Sequence, residues 1–323
     1  MRILLIGANG LLGHNVARQL LFRGYAVKAL LRKPDALHID HPLLERCQGS
    51  FLDPSRMRSA AQGCDAIINC AGCTNMSLLR FEDYLPANRD GLRSIASAME
   101  EQDIRTLIHI STANTIGYGT PDHPTDETAP MQSPFSESFY AQSKKAGEEI
   151  VDDLAQRHPD WHIVTLHPGF MLGPCDWRNS SGRLLKAAYR KPLMLAPKGG
   201  KSFVSVEDAA VASVNALTMG THARHYLITG HNMSLKEFYR LQAQTCGYRQ
   251  LILSPPNKLM LLLARIGDAL RWLGIGTQLS TRNVRQLLVY EYYDNRRAQR
   301  ELALPQSPLQ EAIRAYFDYR GLL

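Results

Sequence analysis

Residues 3–20 of this 323-residue chain read I-L-L-I-G-A-N-G-L-L-G-H-N-V-A-R-Q-L, and this opening restricts the fold more than any other stretch. Residues 3–6 form an apolar run with the length of a buried parallel strand. Gly7, Gly10 and Gly13 follow at three-residue spacing, and then a helical pattern begins. In such a strand–turn–helix the first glycine permits the tight turn. The second lets the backbone approach a pyrophosphate, and the third lets the helix pack closely on the sheet. The helix start adds unpaired N–H groups and the positive end of the helix dipole. Gly7, Asn9, Gly10, Leu11, Leu12 and Gly13 are therefore the expected phosphate cradle of a dinucleotide.

The rest of the chain continues the pattern. Short apolar runs at 26–31, 66–70, 106–111 and 163–167 alternate with helical stretches, as βαβ units do. This predicts an α/β fold, a Rossmann-type doubly wound parallel sheet with ligands at the carboxyl ends of its strands. Beyond Pro168 the alternation loosens. We expect residues 1–169 and 203–228 to form the dinucleotide domain, and 170–202 and 229–323 a smaller substrate lobe. The segment 118–138, with prolines at 121, 124, 130 and 134, reads as an irregular cover over the substrate.

A second signal lies in F-Y-A-Q-S-K-K, where Tyr140 and Lys144 stand four residues apart and so share a helix face. A phenol has an ordinary pKa of about 10. A neighbouring ammonium favours the phenolate and suits the phenol to proton exchange. Cofactor choice is read at the end of the second strand, A-L-L-R-K-P. No carboxylate precedes Arg32 and Lys33, so a 2′-phosphate, and hence NADP, is favoured over NAD.

With these come, in order, F-L-D-P at 51–54, N-C-A-G at 69–72, A-N-R-D-G-L at 87–92 and I-H-I-S-T-A-N-T-I-G at 108–117. L-H-P-G-F-M-L-G-P at 166–174, F-V-S-V-E-D-A-A at 203–210 and Y-D-N-R-R-A-Q-R-E-L at 293–302 follow. The set resembles the extended short-chain dehydrogenase/reductase family, in its branch of 3β-hydroxysteroid dehydrogenases and dihydroflavonol-type reductases. That resemblance implies an oxidoreductase acting on a carbonyl or alcohol substrate. Tyr140 would be its acid or base, Thr112 the hydroxyl that orients the substrate oxygen, with Ser111 as fallback, and Asn88 the support of an active-site water. Lys144 would also hold the nicotinamide ribose. Leu52 and Asp53 would lie near the adenine, Cys70, Ala71 and Gly72 along the dinucleotide, and Pro168, Gly169 and Met171 near the nicotinamide. His167 stands where many relatives carry Arg, and reads as a buried strand-end histidine. Two alternatives carry the same motifs: a nucleotide-sugar epimerase or dehydratase with tightly held NAD, and a non-catalytic NADP(H) sensor.

Composition narrows partners and surroundings. The six cysteines are scattered, and Cys70-x-x-Cys73 lacks a second pair, so reduced packing thiols and no metal are expected. The opening strand leaves no room for a secretion signal, which points to the cytoplasm. The net charge is +7, and residues 231–323 hold 13 Lys or Arg against 7 Asp or Glu. No basic-aromatic module suggests nucleic acid. A solvated face, an anionic substrate or an anionic membrane surface remain, and a homodimer is left open. Leu259, Leu262, Leu263, Ile266, Leu270 and Leu273 share one helical face. That face is expected to pack on the lobe in preference to a membrane. Phe170, Met171, Trp177, Leu184 and Leu185 suggest a partly apolar pocket.

Overall fold

The protein is described by a computed structural model covering residues 1–75, 78–177, 180–273 and 280–323. Its centre is a seven-stranded sheet in which every pairing is parallel. The strands are β1 (Arg2–Ile6), β2 (Ala26–Leu31), β3 (Leu44–Gln48), β4 (Ala66–Asn69), β5 (Thr106–Ile110), β6 (His162–Pro168) and β10 (Arg224–Ile228). They lie in the order β10-β6-β5-β4-β1-β2-β3, so the chain reverses direction across the sheet between β1 and β4. Ligands bind at that reversal in doubly wound sheets.

Two helical layers cover the sheet. On one side α1 (Leu11–Phe22) packs against α6 (Val206–Asn215), and Val16, Leu20, Ala209 and Val214 join one buried cluster with Leu5 and Ile68. On the other, α2 (Pro54–Ala61), α3 (Gly91–Gln102) and α4 (Phe139–Arg157) bury Met57, Ile95, Met99, Val151 and Leu154 against Leu4, Ile67 and Leu107. The side chains of Ile3 to Ile6 are buried on both faces of the sheet, as a parallel strand between two helical layers requires.

A smaller unit follows. Here β7 (Phe170–Leu172), β9 (Gly200–Ser205), β11 (His231–Ser234) and β13 (Tyr290–Glu291) form a mixed sheet. The strands β8 (Leu193–Leu195) and β12 (Leu251–Leu253) form a parallel pair. Around them lie α5 (Gly182–Ala188), α7 (Leu235–Thr245), α8 (Asn257–Trp272), α9 (Thr281–Leu287), α10 (Arg296–Glu301) and α11 (Leu309–Tyr319). The core of this unit joins Phe203, stacked on Phe238 at 4.2 Å, to Leu185, Ile313 and Phe317.

Three expectations need adjustment. The segment 296–304 belongs by packing to the dinucleotide layer, since Ala298, Leu302 and Leu304 are buried with α1 and α6. The irregular segment 118–138 is tied down. Thr125 bridges to Tyr293, and the buried Glu127 pairs with Arg297 at 3.3 Å and accepts the Leu227 N–H at 2.9 Å. The leucines of α8 do not pack on the lobe: Leu259, Leu262, Leu263 and Ile266 are exposed, while Ala264 and Gly267 are buried.

Candidate active site

The opening turn is built as its glycines suggest. Gly7 sits at φ +82°, and a Cβ there would lie 2.7 Å from the Ala71 nitrogen. A Cβ on Gly13 would lie 2.1 Å from the Gly7 carbonyl oxygen, so α1 touches the turn backbone to backbone. Gly10 precedes α1 and no side chain caps the helix, which leaves its first N–H groups without an intrahelical acceptor. The Leu11 and Leu12 side chains pack into the core, so only their backbone is available to a ligand.

A cleft of about 540 Å³ opens at this turn. Gly7, Asn9, Gly10, Arg32, Leu52, Cys70, Ala71 and Gly72, all cofactor candidates in the sequence, line it. Its wall also includes Ser50 and Phe51 after β3, Thr74, and Arg183 of α5, which sequence reasoning missed. The first two follow a strand too polar to stand out, and Arg183 carries no local signal. Arg32 and Lys33 are exposed, and among the described residues neither has an ion-pair partner. Lys33 leads into a short 3-10 turn and does not line the cleft. Asp53 caps α2: its Oδ1 accepts the Ser55 N–H at 2.9 Å and the Ser55 hydroxyl at 2.7 Å. These bonds hold its carboxyl below the usual range. Pro168 ends β6, Gly169 N–H donates to the Ile228 carbonyl, and Met171 packs on the core; none of the three lines the cleft.

Beside Gly72 the catalytic candidates converge. A Cβ on Gly72 would lie 3.1 Å from Asn88 Oδ1 and 3.8 Å from Lys144 Nζ. Asn88 is buried in a π-turn (Pro86–Asp90) and fully engaged. Its Oδ1 accepts the Cys73 N–H at 2.7 Å, while its Nδ2 donates to the Cys73 carbonyl at 3.1 Å and to Ser143 Oγ at 2.9 Å. It thereby pins the loop after β4 to α4.

Thr112 follows β5, and its hydroxyl, which accepts the Asn114 N–H at 3.4 Å, stands close enough to the Tyr140 phenol to pull it down. Ser111 is occupied elsewhere: its hydroxyl donates to the buried Glu148 carboxylate. Burial pushes the phenol up to about 12, against the pull of Thr112. The expected lowering by Lys144 is thus not what this arrangement produces. Lys144 Nζ instead donates to the Ile110 carbonyl at 2.7 Å, and desolvation brings its ammonium down to about 8. Burial likewise pushes the Cys70 thiol up to about 12, which makes it a packing thiol.

Beneath Thr112 lies a polar network that the sequence did not announce. Glu148 Oε1 accepts from Thr115 Oγ1 at 2.6 Å and Oε2 from Lys145 at 3.1 Å. His167 Nδ1 lies 3.1 Å from the Thr112 carbonyl, and its Nε2 2.8 Å from His225 Nδ1. His225 Nε2 in turn meets Asp152 at 3.0 Å. Ligand atoms of Glu148, His167 and His225 fall within 4.8 Å of one another, but hydrogen bonds already engage all three side chains. His167 is the buried strand-end histidine expected, and desolvation brings its imidazole down to about 4. Of the five residues read as a pocket, Leu185 is core, and Phe170 and Leu184 pack against the same cluster. Met171 joins the core behind the large sheet, and Trp177 packs edge-on to Tyr319 at 4.7 Å.

A glycine turn at the reversal of a doubly wound sheet, with Thr112, Tyr140 and Lys144 gathered beside it, is the arrangement of a dinucleotide-binding α/β protein. The chain belongs to the NAD dependent epimerase/dehydratase family, whose sequence model matches residues 3–229. It is 27% identical to sterol demethylase protein B of Methylococcus capsulatus, over 100% of both chains. To a putative dihydroflavonol 4-reductase of Synechocystis sp. it is 26% identical, over 95% of this chain and 91% of the relative. The crystal structure of gox2253 superposes with a TM-score of 0.82 at 23% identity, covering 99% of each chain, and so shares the fold. The chain is therefore an NAD(P)-dependent oxidoreductase or epimerase of the extended short-chain dehydrogenase/reductase superfamily.

Proposed function

We propose that this protein is an NADP-preferring oxidoreductase that interconverts a carbonyl and an alcohol on a small, partly apolar substrate. The observation that carries this reading is the convergence of Thr112, Tyr140 and Lys144 at the end of β5, with Ser111 engaged by Glu148. When bound, the dinucleotide supplies or accepts hydride at the carbonyl carbon. Tyr140, kept neutral by its surroundings, is ready to donate its proton to the carbonyl oxygen. Thr112 orients that oxygen. Lys144, fixed on the Ile110 carbonyl and close to Gly72, stands where it can hold a ribose hydroxyl. Asn88 keeps the wall between them rigid through Cys73 and Ser143. Arg32 lines the cleft and has no ion-pair partner among the described residues, which supports a 2′-phosphate there.

The test is Tyr140→Phe. The ring keeps its packing and the proton is lost, so turnover on ketones with NADPH should fall about 100- to 10,000-fold. NADPH binding should persist. Turnover like that of the unmodified protein would overturn the assignment. So would an unmodified protein that is inert toward ketones and aldehydes and active on a nucleotide sugar.

A further inference from the structure

We infer that α8 is an interfacial helix that seats this side of the molecule on an anionic lipid surface. The helix is turned inside out relative to ordinary packing. At 100° per residue, Leu259, Leu262, Leu263 and Ile266 fall on one face, which is the solvent face, with exposures of 46%, 54%, 38% and 51%. The buried side is made of Ala264 and Gly267. None of the apolar side chains of α8 on the outer face joins a core cluster among the described residues. Trp272 and Leu273 continue the exposure at 87% and 65%. Trp272 lies off the centre of the stripe, toward its cationic rim, where an indole suits a headgroup boundary.

Charge selects the occupant. Residues 257–287, which span α8 and α9, hold five Lys or Arg and one Asp. Lys258 and Arg265 run along one rim of the apolar stripe, both exposed, and Arg282 is exposed on α9. The Asp268 carboxylate is turned to the Thr281 N–H at 3.1 Å. A second copy docked symmetrically on this face would set these cations against themselves. An apolar stripe with a cationic rim and an indole at its end instead matches a bilayer with anionic headgroups.

The placement gives the contact a purpose. Through α9 the helix is linked to the start of α4: Arg282 lies over the Phe139 ring at 4.3 Å, and Arg285 Nη2 donates to Ser133 Oγ at 2.9 Å and pairs through Nη1 with Glu137. Tyr140 is the next residue after Phe139. A molecule partitioned into the bilayer would thus meet the protein one helix away from its phenol. Docking itself requires none of the catalytic groups.

The experiment is co-sedimentation of the full chain with vesicles of phosphatidylglycerol and phosphatidylcholine in equal parts, and with phosphatidylcholine alone. Tryptophan emission is followed in parallel. Pelleting with the anionic vesicles at low salt, weakened severalfold near physiological salt where screening acts beyond ~8 Å, is expected. A blue shift should accompany it, and Trp272→Phe should remove that shift while binding persists. The double variant Leu262→Ser/Ile266→Ser, altered only at exposed positions, should keep its thermal unfolding and its NADPH turnover and lose pelleting at least tenfold. No pelleting with anionic vesicles at low salt would overturn the inference, as would pelleting unaffected by the double variant. Equal binding to neutral vesicles would overturn the anionic assignment. A concentration-dependent dimer abolished by the double variant, without vesicle binding, would assign the face to a second copy.

Discussion

Lys144 shows how far the buried group departs from its parts in water. Its amine would ionise near 10.5 in water, and desolvation brings it to about 8 despite Glu148. The unfolded chain therefore binds one more proton between those two values, and stability carried by this site rises as pH climbs from about 8 toward 10.5. Below pH 8 the unliganded fold bears the full penalty, about 3 kcal/mol at the conversion of 1.36 kcal/mol per unit. Lys144→Met should remove it. Urea unfolding should find the variant more stable than the parent at pH 7, less the lost bond to Ile110. That advantage should shrink between pH 8 and 10.5. An advantage constant across that range would mean that the ammonium is not desolvated. Tyr140 shows the same effect from the other side, since burial favours its neutral form. Both groups are thus held in an environment that a charged cofactor and a polar substrate would change.

The glycine turn makes a contrast between two neighbouring positions. A Cβ at Gly13 would press on the Gly7 backbone at 2.1 Å, whereas one at Gly10 would stand 3.3 Å from the Gly7 oxygen. Gly13→Ala should therefore cost about 1–3 kcal/mol of stability by forcing α1 off the turn. Gly10→Ala should leave thermal unfolding nearly unchanged and weaken NADPH binding, because its methyl stands where a pyrophosphate approaches. Calorimetry and an NADPH titration on both variants check this; equal loss of stability in the two would refute it. Such turn chemistry was legible because glycine spacing and an apolar strand sit next to each other in sequence. β1, β2, β4, β5 and β6 were legible for the same reason, as short, mainly apolar runs. β3, reading L-E-R-C-Q, and β10, beginning R-H, were not: an edge strand has one neighbour and tolerates charge. Thr112 and Tyr140 could be paired only through the family resemblance. The Asn88 clamp and the Glu148–His167–His225 network join residues far apart in the chain. The period of α8 was visible, but the side it turns to solvent depends on Ala264 and Gly267 allowing close approach.

A dinucleotide held in this cleft would stabilise the protein as a unit, because only the folded chain assembles the turn, Arg32 and the loops after β3 and β4 together. At one hundred times its dissociation constant a dinucleotide adds about 2.7 kcal/mol. NADPH should raise the unfolding temperature by several degrees, and NADH at equal concentration by less. Arg32→Asp should reverse that order, since a carboxylate repels a 2′-phosphate and accepts a hydrogen bond from a 2′-hydroxyl. Differential scanning at matched concentrations reads the outcome, and an unchanged order would reject Arg32 as the discriminator. The sheet that supports this cleft ends in two margins treated differently. On one, buried Glu127 takes the Leu227 N–H and lies against Arg297, so a carboxylate fills the place of an eighth strand. On the other, Glu45 and Arg46 stud the outermost strand, with Arg46 also bonded to the Leu37 and Ile39 carbonyls. Neither margin of this sheet is a plain backbone row, so the large sheet gives folded copies crowded together a poor template on which to zip into fibrils.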